Sequence, residues 1–108
     1  MPQKFNPIQL LLTCGSWQEA QKIADALLQK RLVACVEMME ITSKYRWQGA
    51  LEEAKEIKLI METIADHVET IEQEVAKLHS YETFVLQAVS VTHMSKRAAA
   101  WLEAETKK

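Results

Sequence analysis

Six side chains in this sequence could hold a soft metal ion: Cys14, Cys35, His67, His79, His93 and, three residues past His79, Glu82. Thiolate and imidazole suit copper or zinc. None of the six has the close spacing of a local site, and CxxC and HExxH are both absent,. A metal site would have to be assembled in space from separate elements. His79 is the best placed, because it follows the last apolar residue of a helical stripe, where the helix dipole favours a cation. The segment "HSYE" (His79–Glu82) reads first as a helix end and turn, and second as half of a ligand cluster. Cys14 and Cys35 lie in apolar segments and read as two buried, reduced thiols of a cytosolic protein. His67 and His93 read as solvated surface residues.

Other chemistries find less support. The only glycines are Gly15 and Gly49, so no glycine-rich loop can cradle a phosphate. No nucleophile–base order can be argued, and an enzyme is the last reading. The formal net charge is -2 with lysines and arginines scattered, which argues against a nucleic-acid partner. Apolar residues make up 48% and charged residues 26%, a globular balance with no membrane partner implied. The opening "MPQKFNPIQLLLTCG" reads as a first strand rather than a signal peptide.

The elements that would position these residues follow from periodicity. Ile8–Cys14 is an apolar run that predicts a covered strand. Ser16 with Glu19 forms a capping box, and Ala20, Ile23, Ala24, Leu27 and Leu28 repeat at helical spacing behind it. Residues 32–47 read as one unusually long strand, turned by Gln48-Gly49. The return strand places Ile57, Leu59 and Met61 on one side and Glu56, Lys58 and Glu62 on the other. Thr63 with Asp66 opens a second predicted helix, striped by Ile64, Val68, Ile71, Val75 and Leu78. "TFVLQAVSVT" (83–92) is a further strand. Ser95 caps a last helix with Ala98, Trp101 and Leu102 on its buried side. The order is that of an α+β, ferredoxin-like split βαβ sandwich: one domain over 1–108, an antiparallel sheet with helices on one face and an added C-terminal helix.

The long hairpin outruns any helices that could cover it. In "ITSKYRWQG" (41–49), Tyr45 and Trp47 share a strand face near its tip, where a monomer would leave them exposed. Exposed paired aromatics suggest a partner surface. Leu32, Ala34, Val36 and Met38 alternate with Val33, Cys35 and Met39, so this strand is apolar on both faces. One face can pack on helices; the other needs cover, which a second subunit could supply.

"RLVACV", "SKYRWQG", "EIKLIMET" and "HSYE", in this order and at this spacing, resemble the CutA family of divalent-cation tolerance proteins over nearly the whole chain. The specific parts are Ser43, Tyr45, Trp47 and Gly49 of S-x-Y-x-W-x-G, and Ala34, Cys35 and Val36. The resemblance implies a ferredoxin-like homotrimer whose hairpins reach into neighbouring subunits, and an association with copper or other divalent cations without a settled biochemical activity; no cofactor is expected to be required beyond such a cation. It makes Cys35 and His79 the first-choice metal ligands, with Cys14 and Glu82 as additions, and Tyr45 and Trp47 interface residues. The chain departs from the family pattern at Ser80, where proline is usual, at Phe84 and Val85 in place of Pro-Glu, at Glu62 in place of lysine, and at Ala98 in place of tyrosine. Two other readings follow: a trimeric small-ligand sensor, similar in architecture to the nitrogen-regulatory PII proteins, and a structural scaffold trimer.

Overall fold

Alternation along the first apolar run is strict. In the computed structural model, which describes residues 5–107, strand β1 (Pro7–Cys14) buries Ile8, Leu10, Leu12 and Cys14 on one face. Helix α1 (Trp17–Gln29) lays Ala20, Ile23, Ala24 and Leu27 against that face. Strands β2 (Cys35–Trp47) and β3 (Ala50–Ile64) form the long hairpin, and β3 returns alongside β1. A 3-10 turn (Ala65–His67) leads into α2 (Val68–Leu78), which adds Ile71 and Val75 to the core. Strand β4 (Leu86–Ser90) pairs with the other side of β1, and α3 (Lys96–Glu105) ends the chain. The sheet is antiparallel throughout, in the order β2-β3-β1-β4, as the ferredoxin-like reading requires.

Burying each large aliphatic side chain of this core is worth about 1.5–3 kcal/mol, and Leu10, Leu12, Ile23, Leu27, Leu59, Met61, Ile71 and Val75 are wholly enclosed. Among the described residues no helix is long and apolar enough to cross a membrane.

Several local expectations shift. Leu32 and Val33 are buried, but in the connection before β2 rather than in a strand. Arg31 adopts a left-handed φ of 58° and breaks the helix, turning the next residues into the core,. Thr63 stays in β3, where its hydroxyl donates to Leu32 O at 2.6 Å. It is therefore unavailable to cap α2, which begins after the 3-10 turn. The last strand is shorter than 83–92, because Phe84 turns aside to stack on the His79 ring at 5.2 Å. Ser95 is at the N-cap of α3 without a side-chain cap bond, and Trp101 is exposed while Leu102 carries the packing. His67 is partly buried, its ring bonded to Thr106 O at 2.9 Å, whereas His93 is exposed.

The hairpin gives the molecule its length, 49 × 26 × 24 Å. Gln48 and Gly49 take left-handed φ values of 49° and 82°, the pattern of a two-residue turn whose twist matches the strands,. Tyr45 and Trp47 near the tip are 43% and 47% exposed, as expected of a single chain.

Candidate metal centre

The end of β1, the start of α1 and the end of α2 meet at one place. Among the described residues, Cys14, Glu19 and His79 bring potential ligand atoms within 4.8 Å of one another there. Each arrives for a local reason. Cys14 is the last inward-facing residue of β1. Ser16 caps α1 by accepting the Glu19 N–H at 3.2 Å, which sets Glu19 in the first helical turn. The return half of the capping box is diverted: the Glu19 carboxylate instead accepts the Ser80 N–H at 2.8 Å. His79 is the C-cap of α2, its backbone turned to an extended ψ of 135°.

The His79 imidazole is completely enclosed. Its Nε2 lies 2.8 Å from Thr13 O, which can only accept, and its Nδ1 lies 3.0 Å from the Tyr81 N–H, which can only donate. The ring is therefore the tautomer protonated on Nε2, with the Nδ1 lone pair accepting the Tyr81 N–H,. Nδ1 stands 3.6 Å from Glu19 Oε2, which is itself buried without a hydrogen-bond partner. Burial pushes the Cys14 thiol up to about 12, with the charges of Glu19 and Glu56 adding to the effect. A neutral thiol, a neutral imidazole and a carboxylate with one unused oxygen thus share a small space.

Tyr81 closes it from outside. Its hydroxyl donates to Glu56 Oε2 at 2.7 Å, and its ring lies over Gly15, where an added Cβ would come within 2.9 Å of the Tyr81 hydroxyl. Burial and the Glu56 carboxylate raise the Tyr81 hydroxyl above its ordinary range.

The first-choice ligand pair does not come together within one chain. Cys35 pairs with Glu62 of β3, and Cys14 with Ile57. Five residues of strand separate these levels, about 16 Å at ~3.3 Å per residue. Strand alternation also puts Cys35 with Glu62 on the face away from the helices, while His79 is tied to the Cys14 end. The two cannot share an ion in this chain, and Cys35 is a half-buried sheet residue whose thiol is raised by burial and by Glu37 and Glu62. Glu82 is exposed and does not join the cluster, although it follows His79 so closely. Cys14 and His79 do meet. Glu19 was hidden from the sequence because S-x-x-E already has a capping role that accounts for it.

Residues 8–105 match the family model of the CutA1 divalent ion tolerance protein. The divalent-cation tolerance protein CutA of Pyrococcus horikoshii is 33% identical over 96 residues, covering 89% of this chain and 94% of that one. A solved structure described as the periplasmic divalent cation tolerance protein CutA of Archaeoglobus fulgidus superposes with a TM-score of 0.92 at 31% identity, covering 94% of this chain and 99% of the other. The divalent cation tolerance protein of Thermus thermophilus gives 0.90 at 31% identity over the same shares.

Proposed function

This chain belongs to the CutA1 family of divalent ion tolerance proteins, and from that premise we propose that it serves cation tolerance by binding a metal ion, copper foremost, through Cys14, Glu19 and His79. The observation that carries the reading is the buried Glu19 Oε2, without a partner and 3.6 Å from His79 Nδ1. An unsatisfied buried carboxylate oxygen costs free energy that a cation would recover. The hydrogen bond from His79 Nε2 to Thr13 O is the kind that orients a ligating imidazole from behind. Cysteine sulfur and imidazole nitrogen favour copper or zinc over harder ions, and bound metal holds the thiol as thiolate.

The protein acts in this reading as a binder and not as an enzyme. A thiol pushed up to about 12 is the reverse of an activated nucleophile. Its form is a homotrimer, supported by the exposed Tyr45 and Trp47 on a hairpin that projects beyond the core. Its compartment is the cytosol, in keeping with two unpaired cysteines,; cell fractionation that finds it in the periplasm, as the name of the A. fulgidus relative has it, would replace that reading.

Competition titration of the metal-free protein with Cu(I) and Zn(II) tests the site. Cys14→Ser and His79→Ala are each expected to weaken binding at least ~10-fold, as loss of a ligand should do no less than loss of an outer-shell partner, while Cys35→Ser leaves it unchanged. Wild-type affinity in both of the first two variants would remove the site.

A further inference from the structure

We propose that Tyr81 is a positioning residue of this site, and that its hydroxyl bond to Glu56 sets the fraction of protein free to take up metal. The proposal rests on the reading of Cys14, Glu19 and His79 as ligands. An imidazole nitrogen has one lone pair, and the Tyr81 N–H occupies that of His79 Nδ1 at 3.0 Å. The preceding amide, of Ser80, occupies Glu19 Oε1 at 2.8 Å. Two consecutive backbone N–H groups therefore sit on two of the three ligands. Metal at Nδ1 and the Tyr81 amide exclude each other, so this short segment must shift before the ion can be held.

What resists that shift is the phenol. Glu56 is only 5% exposed, and its Oε2 accepts the Tyr81 hydroxyl at 2.7 Å. A hydrogen bond to a buried carboxylate is among the stronger ones. The Tyr81 ring also packs at 4.9 Å from the His79 ring and over Gly15, the residue after Cys14. Gly15 is required for this closure, since a Cβ there would meet the hydroxyl at 2.9 Å and the ring edge at 3.2 Å. Closed and metal-competent states are thus in equilibrium. The apparent dissociation constant is the intrinsic one divided by the competent fraction, so weakening the latch tightens metal binding.

Amide hydrogen exchange on the metal-free protein reads the latch directly, and Zn(II) titration of the same variants reads its consequence. Tyr81→Phe removes the hydroxyl, and Gly15→Ala pushes the ring away while keeping it. Both are expected to speed exchange at Ser80 and Tyr81 by about ten-fold or more, the size of a lost charge-assisted bond, with Leu10 and Leu12 amides unchanged. Both should also lower the apparent zinc dissociation constant by a similar factor. Glu56→Gln keeps an acceptor for the hydroxyl but removes its charge, and is expected to fall between wild type and Tyr81→Phe in both readouts. Unchanged exchange at residues 80 and 81 in both variants, equal acceleration of Leu10 and Leu12, or faster exchange without tighter zinc binding would each overturn the proposal while leaving the metal site standing. A wild-type protein that binds no zinc or copper overturns the site, and this proposal with it.

Discussion

Cys14 shows how a single side chain can be read correctly in type and still depend on its neighbours for its chemistry. An apolar run with a cysteine at its end implies a shielded thiol, and the thiol is wholly buried. Its elevation to about 12 has a second source, the carboxylates of Glu19 and Glu56, which reach it only through the fold. The consequence for stability has a definite sign. Above its ordinary value of 9.0 the unfolded thiol loses its proton, while the folded one keeps it up to about 12. The unfolded state then binds fewer protons, so stability falls with rising pH across that window. Urea unfolding at a series of alkaline pH values should therefore show a steeper decline for wild type than for Cys14→Ala; equal slopes would contradict the burial of this thiol. Metal binding runs the other way, because Cys14 must release its proton to bind. Affinity for Zn(II) should weaken as the pH is lowered, and a flat profile would argue against thiolate ligation.

At the scale of elements, the links between segments matter more than their ends. Thr63 looks like a helix cap when read beside Asp66, yet it lies within β3 and binds the carbonyl of Leu32. That bond fastens the α1–β2 connection to the sheet, together with Ala34 N–H to Glu62 O at 2.9 Å. Replacing Thr63 by the nearly isosteric valine leaves a buried carbonyl without its partner and should cost about 1–3 kcal/mol, measurable by denaturant unfolding. A change of a few tenths would mean that water replaces the hydroxyl. Ser16 is a simpler case, legible from sequence alone. Its hydroxyl accepts one exposed helix N–H, and Ser16→Ala should cost ~1 kcal/mol.

The molecule as a whole is built around a hairpin longer than its helices can cover. Met39 is 44% exposed, Val89 46% and Trp47 47%, a good deal of apolar surface for a chain of 108 residues. Small domains gain much from association, since alone they bury a modest share of their surface. Light scattering at micromolar concentration should give three times the mass of the chain, and a monomer would contradict this. Trp47→Ala should shift the assembly toward smaller species more than it alters the fold of the single chain, because Trp47 lies near the hairpin tip, outside the buried core. A variant with an unchanged mass and melting temperature would remove Trp47 as an anchor.

The strand and helix order, the inward faces of α1, β3 and α2, and the turn at Gln48-Gly49 were all readable in the sequence, because they depend on periods of two and 3.6 residues and on local turn chemistry. The metal candidates were readable only as a set of residue types. Which of them meet depends on register, and register is decided by pairing across the whole sheet: Cys14 opposite Ile57, Cys35 opposite Glu62. Those pairings leave Cys35 on the face opposite Cys14, while the end of α2 brings His79 to the end of β1. Glu19 and Tyr81 were missed for the same reason. Each had a complete local account, one as half of a capping box and the other as a turn residue, and only the approach of α2 to the first turn of α1 turned their polar groups onto His79.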